Sequence, residues 1–382
     1  MSKSVIVAGH ICIDITPIFP QKTAIESVGR FLEPGKLLHV ERADVHTGGC
    51  VANTGLAMKK LGANVRLLGK IGKDPMGAMI RDAMRQDEAD RDLITDNEAA
   101  TSYSVVLALP GLDRIFLHHP GANDTFSEKD ISDALLQNAA LFHFGYPPLM
   151  QQMFAENGKE LEALMRRAKQ AGAATSLDMA AVDPESQAGQ ADWKSILKNV
   201  LPWVDFFVPS FEELCFMLDR EKYDRLAQAA NGDEMIQLID WERDVRPLAA
   251  HAMALGCRVI LIKCGSKGLY YRTAGQADMK ELVDLLGLSL PDWASLEGTQ
   301  GCFVPQKIAS GTGAGDTSIA AFLTAVLRGK TAVESVRLAA AEGACCVTTY
   351  DALSGLCTLE ELEQRVANGW DYAKGDTKCW SI

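Results

Sequence analysis

The residues best suited to chemistry stand together late in the chain. Ser310-Gly311-Thr312-Gly313-Ala314-Gly315-Asp316-Thr317 runs straight into an apolar helical pattern over 319–327. Small residues at a helix start let backbone N–H groups face outward, and the helix dipole favours negative charge there, so the string predicts a socket for phosphoryl oxygens. Asp316 falls in the first turn. A carboxylate in that place can simply partner the helix N-terminus. It can also take the proton from an attacking hydroxyl while the neighbouring amides hold the phosphoryl in transit, the division of labour that phosphoryl transfer requires. Two other phosphate-binding patterns are missing: no G-x-x-x-x-G-K-[ST] string occurs, and the apolar run 5–9 leads into His10-Ile11-Cys12 without G-x-G-x-x-G. P-loop and dinucleotide-dependent chemistries are therefore set aside.

Such a socket needs strands and helices to hold it. Apolar runs at 5–9, 65–71, 141–146, 174–179, 206–209 and 259–264 read as buried strands. Between several of them, 51–61, 159–171, 246–255, 315–327 and 331–347 carry apolar residues three and four apart, which gives each helix one face for a sheet. The alternation predicts an α/β fold, a mostly parallel sheet covered by helices on both faces. Two early stretches break it. Residues 11–47 hold Pro17, Pro20 and Pro34 without a helical period, and 101–119 alternates on both sides of Pro110-Gly111-Leu112-Asp113, as a β-hairpin does. These two are expected to pair as a small β lid over the crevice at the carboxyl ends of the parallel strands. A third stretch, 273–306, with Pro291, Trp293 and several glycines, reads as a long irregular loop. No linker divides the chain, so the expectation is a single domain over 1–382 with lid segments at about 11–47 and 101–120.

Composition bounds the partners. With 382 residues, 47% of them hydrophobic and 23% charged, the chain has a globular make-up. Fifty acidic against 38 basic residues give a net charge of −12, which argues against nucleic acid or an anionic membrane as the main partner. The ten cysteines form no C-x-x-C pair, so neither a zinc site nor a redox motif is spelled out. The opening MSKSVIVAGHICIDI is too soon interrupted for a signal peptide, and no run of about 18 apolar residues follows, so the cytoplasm is the expected compartment.

Taken together, the motifs resemble those of the ribokinase/PfkB family of carbohydrate kinases. Thr312-Gly313-Ala314-Gly315-Asp316 matches the family's T-G-A-G-D, and Gly48-Gly49-Cys50-Val51-Ala52-Asn53 followed by Leu61-Gly62 matches its G-G-x-x-x-N and L-G. The segment from Gly69 to Gly77 is similar to G-x-x-G-x-D-x-x-G, and Gly121-Ala122-Asn123 and Lys263-Cys264-Gly265-Ser266-Lys267-Gly268 continue the likeness. The resemblance implies a ribokinase-like three-layer sandwich and ATP-dependent phosphorylation of a hydroxyl on a free sugar or sugar-like molecule. It implies Asp316 as base, Gly313, Ala314 and Gly315 as anion hole, and Asp14, Gly48, Gly49 and Asn53 as substrate contacts. It implies further that Lys263, Gly265, Gly268 and Thr312 attend the nucleotide, that Glu213 organises Mg2+, and that the alanine-rich 338–347 helix flanks the adenine. A homodimer through the lid would fit an exposed sheet edge.

The match has gaps. The family's N-x-x-E stands here as Ser210-Phe211-Glu212-Glu213, and Ser310 occupies the place of an Asp that many members associate with a monovalent cation, so the likeness does not extend to a K+ requirement. Cys50 stands where the family has a basic or small residue, and no Arg or Lys is evidently dedicated to a phosphate on the substrate. That favours a free sugar. A nucleoside kinase, with Tyr103 or Phe116 stacking on a base, and a non-catalytic ligand-binding regulator are the other readings.

Overall fold

The computed structural model describes residues 4–20, 28–109, 115–374 and 377–380. Its strands in chain order are β1 (Ser4–Gly9), β2 (Cys12–Pro17), β3 (Ala43–Gly48), β4 (Val65–Gly72), β5 (Ile94–Asp96), β6 (Tyr103–Leu107), β7 (Ile115–His119), β8 (Ala139–Gly145), β9 (Ala174–Asp178), β10 (Phe206–Phe207), β11 (Val259–Lys263), β12 (Leu269–Thr273), β13 (Glu297–Gln300) and β14 (Cys379–Trp380). Ten of them form one sheet in the order β14-β13-β12-β11-β10-β9-β8-β1-β4-β5. The six runs expected as strands are β1, β4, β8, β9, β10 and β11, and every pairing among them is parallel.

The alternation of side chains along these strands builds two cores. In β1, Val5 and Val7 join one buried cluster with the Cys50–Lys60, Ala314–Leu327 and Ala332–Cys346 helices. Ile6 and Ala8 join the other, with the Lys159–Gln170, Trp193–Val200, Phe211–Leu218 and Arg246–Ala254 helices. The result is the three-layer sandwich. Cys50–Lys60 and Ala314–Leu327 are buried along most of their length because each is wrapped by neighbours as well as by the sheet, as an all-round apolar helix must be.

The remaining strands pair in the order β3-β2-β6-β7 as a separate small sheet, with β2 antiparallel to β3, parallel to β6, and β6 antiparallel to β7. Buried Asn123 pins the point where the chain leaves β1 for this lid: its side chain accepts from the Ile11 amide at 3.2 Å and donates to the Ile11 carbonyl at 3.0 Å. The 110–113 turn lies outside the described residues.

One expectation is corrected. The 273–306 stretch is not an irregular loop: it contains the Gln276–Leu286 helix and β13, and with β12 and β14 it gives the sheet an antiparallel edge. The helix buries Met279, Leu282 and Val283, a short period obscured by the glycines, Pro291 and Trp293 around it. β13 is buried yet polar, which no hydrophobic pattern reveals. Its Glu297 is 2% exposed because Arg246 and the Tyr270 hydroxyl, at 2.7 Å, satisfy the carboxylate.

Candidate active site

A cleft of about 1080 Å³ lies at the carboxyl ends of the parallel strands, under the lid. Asp14, Ser104 and His118 face it from the lid, where strand register sets them directly opposite one another on β2, β6 and β7. The floor is the start of the Ala314–Leu327 helix, and the far end is lined by Glu213, Met235, Ile236, Lys263, Gly265 and Ser266.

Gly313 caps that helix at φ 77°, a left-handed conformation, and a Cβ there would stand 2.3 Å from the Ala352 Cβ. The string therefore turns sharply, and the Gly315 and Asp316 amides are among the first of the helix, which have no intrahelical carbonyl to meet. Ser310 supports the loop by accepting from the Thr312 amide at 3.1 Å and pairing with its hydroxyl at 2.9 Å.

Asp316 is buried and held by three donors. Asn53 Nδ2 donates to Oδ2 at 3.1 Å, Thr54 Oγ1 to Oδ1 at 3.0 Å, and the Tyr146 hydroxyl reaches both oxygens at 2.8 Å. Asn53 and Thr54 come from the Cys50–Lys60 helix, packed beside the helix that carries Asp316. Tyr146 follows β8 in the left-handed region, at φ 68°, which turns its ring back over the sheet end. Burial raises the Tyr146 phenol well above its ordinary value, and the charges of Asp316 and Asp178 raise it further, so it stays a donor. Neither Tyr146 nor Thr54 was expected from the sequence. Thr54 adjoins the motif Asn53, but nothing in the spacing ties Tyr146 to residue 316. Tyr146→Phe removes a hydrogen bond to a charged group, so kcat is expected to fall about tenfold or more while the KM for ATP stays near wild type. Steady-state kinetics on both substrates checks this; an unchanged kcat would leave Tyr146 a packing residue.

Lys263 stands beneath the socket: a Cβ on Gly315 would come 3.3 Å from its Cδ. Its ammonium pairs with Asp178 at the end of β9 and donates to the Val208 carbonyl at 2.7 Å. Burial alone would lower the Lys263 ammonium, but Asp178, Glu213 and Asp316 outweigh it and hold it charged. The lysine is thus already held by Asp178 and the Val208 carbonyl. Asp178 is a further residue the sequence left unmarked, since a carboxylate ending a buried strand carries no motif.

The other expected residues divide. Asp14, Gly49, Asn53, Thr312, Gly313, Ala314, Gly315, Asp316, Glu213, Lys263 and Gly265 share the cleft. Gly48 and Gly268 are not among its lining residues. A Cβ on Gly48 would lie 2.1 Å from Asp14 Oδ2, so this glycine makes room for the carboxylate; on Gly268, at φ 98°, it would lie 2.1 Å from the Gln300 carbonyl, so that one serves the approach of neighbouring strands. The 338–347 segment does not line the cleft either; its helix packs against Ala314–Leu327, and Cys346 Sγ meets the Thr312 carbonyl at 3.3 Å. Of the two aromatics considered for stacking, Phe116 lines the cleft and Tyr103 instead faces His119.

Glu213 closes a capping box with Ser210: its carboxylate accepts the Ser210 amide at 2.7 Å and its own amide donates to Ser210 Oγ at 3.2 Å. The serine hydroxyl, in place of the family's Asn, therefore holds the Glu213 amide, and the Ser210 main-chain amide holds its carboxylate. Among the described residues no three His, Cys, Asp or Glu side chains cluster to hold a metal by themselves. Mg2+ keeps several waters and binds through one or two carboxylates plus substrate phosphates, and Glu213 lines the cleft as one such carboxylate.

A lidded α/β cleft with a held carboxylate at a helix N-terminus is a site for phosphoryl transfer to a small hydroxylated molecule. The model of the pfkB family of carbohydrate kinases matches residues 2–358, and the chain belongs to that family. It is 25% identical to a fructokinase-2 of Oryza sativa over 376 residues, covering 94% of each chain. It is 23% identical to an uncharacterized sugar kinase of Archaeoglobus fulgidus, covering 79% of this chain and 98% of the other. Among solved structures, the fold is shared with an Arabidopsis thaliana ribokinase complexed with ribose and ATP (TM-score 0.68, 20% identity, 95% and 98% covered). It is shared too with the Methanocaldococcus jannaschii nucleoside kinase (TM-score 0.63, 18% identity, 96% and 100% covered).

Proposed function

We propose that this carbohydrate kinase moves the γ-phosphoryl of ATP onto a hydroxyl of a free sugar, with Asp316 as the base and the Gly313–Gly315 backbone holding the phosphoryl group. The observation that carries the reading is the Asp316 carboxylate, oriented by Asn53, Thr54 and Tyr146 at the mouth of the socket. In line with this, Asp14, Gly49 and Asn53 take the substrate on the lid side, while Thr312, Lys263 and Gly265 attend the nucleotide. Glu213 would hold Mg2+ through water, and the ion would draw charge from the phosphates as they part. The chain's own part is to orient the hydroxyl, remove its proton and exclude water beneath the lid. A free sugar is favoured over a sugar phosphate because Lys263 is the one lysine or arginine among the described lining residues, and it is paired with Asp178. Relatives named as fructokinases support the same class.

The nucleoside reading keeps one observation in its favour: Phe116, an aromatic residue of the kind that packs on bases, lines the cleft. ADP release in the presence of free sugars, set beside nucleosides, decides between them; turnover with nucleosides alone would replace the sugar reading.

We also propose one catalytic unit over 1–382, acting in the cytoplasm. Among the described residues no helix is long and apolar enough to cross a membrane. Leu117 and Val45, exposed on the lid strands, support pairing of two lids in a homodimer. Light scattering on the active protein is expected to give twice the chain mass; a fully active monomer would remove the dimer.

A further inference from the structure

His10 sits where β1 ends and the lid begins. Its amide donates to the Gly145 carbonyl at 3.2 Å and its carbonyl accepts the Val51 amide at 3.1 Å, so the backbone is fixed on both sides. The ring rests on Gly49: a Cβ there would lie 2.6 Å from His10 Nδ1, and Gly49 holds φ 86°. The His10 and His118 rings stand 5.2 Å apart, and the His10 and Tyr146 rings 6.0 Å apart. The residue is 2% exposed, it lines the cleft, and neither Nδ1 nor Nε2 has a hydrogen-bond partner. His118 differs, since Ser104 Oγ already lies 3.0 Å from its Nδ1.

An unpartnered buried imidazole is costly, and it survives where something else completes it. Neutral imidazole offers one N–H donor and one lone-pair acceptor in a fixed plane. A sugar hydroxyl is likewise donor and acceptor. We infer that His10 is a specificity-determining residue that exchanges hydrogen bonds with hydroxyls of an uncharged polyhydroxylated substrate. Burial, with His118 adding to it, holds the His10 imidazole down at about 3, so the ring offers no positive charge to a sugar acid. This deepens the proposed kinase reading and rests on it.

The test compares wild type, His10→Leu and His10→Gln in sugar-dependent ADP release over neutral sugars and their matching sugar acids, with urea melts of all three. The inference expects wild type to turn over a neutral sugar in preference to its acid. His10→Leu should raise the sugar KM roughly tenfold or more, leave the KM for ATP unchanged and melt at or above wild type, because an orphaned polar group has been removed. His10→Gln, which keeps a donor and an acceptor, should recover part of the sugar KM. An unchanged sugar KM in His10→Leu, or a less stable His10→Leu with normal sugar binding, would make the ring a structural element and overturn the inference. Preference for the acid would overturn the substrate class. Absence of sugar-dependent turnover in wild type would overturn the kinase reading itself, and the inference with it.

Discussion

Asp316→Asn should cut kcat by roughly 10²- to 10⁴-fold, the range over which a positioned general base contributes. The substitution is nearly isosteric. With the amide oxygen in the Oδ1 place, Thr54 and Tyr146 can still donate to it, while Asn53 Nδ2 would meet the NH2 group, so the protein should stay folded with a modest loss of stability. Because the Gly313–Gly315 backbone is untouched, ATP should still protect the variant against thermal unfolding about as well as it protects wild type. The combination is diagnostic: turnover lost, nucleotide binding kept. A kcat within a few-fold of wild type would reduce Asp316 to a partner of the helix N-terminus, the simpler of the two readings its position allows.

A second large effect is expected on stability. Glu342, on the Ala332–Cys346 helix, is fully buried, and neither carboxylate oxygen has a hydrogen bond of normal geometry. Burial raises it from its ordinary 4.5 to about 8, despite the lowering influence of Lys60 and Arg365. The native state therefore keeps a proton that the unfolded chain gives up above about pH 4.5. Glu342's share of stability is complete below that pH and is lost as pH climbs through the folded value near 8. The loss runs at about 1.4 kcal/mol per pH unit in this window. Glu342→Gln carries no such titration. It should match wild type near pH 5 and exceed it by roughly 3 kcal/mol near pH 8, as read from urea midpoints at each pH. Taking the difference between the two proteins cancels the other titrating groups. A difference that does not grow with pH would mean that Glu342 is already ionised in the native state.

Much of the fold was legible because its signals are local. Strands β1, β4, β8, β9, β10 and β11 are apolar runs, and the helices between them keep a period of three and four. The antiparallel edge was hidden because β13 buries Glu297, Thr299 and Gln300, whose burial depends on partners such as Arg246 and Tyr270 that lie far off in the chain. The site divides in the same way. Asp316 and its glycines are contiguous, so small residues before a helix disclose them. Tyr146 and Asp178 are brought to the cleft by the ends of β8 and β9, and the distances that matter, from Tyr146 to Asp316 and from Asp178 to Lys263, join residues 170 and 85 positions apart. Gly48 and Gly268 were legible as special glycines, but the reason for them was not. Each leaves room for another part of the protein, the Asp14 carboxylate in one case and the Gln300 carbonyl in the other.

The most direct measurement follows the phosphoryl group. ATP labelled at the γ position is incubated with Mg2+, the protein and each of a panel of free sugars, and the labelled products are separated. Label is expected in a sugar phosphomonoester, formed in step with ADP. Label in inorganic phosphate alone, or no labelled product across the panel while ATP still binds, would contradict it.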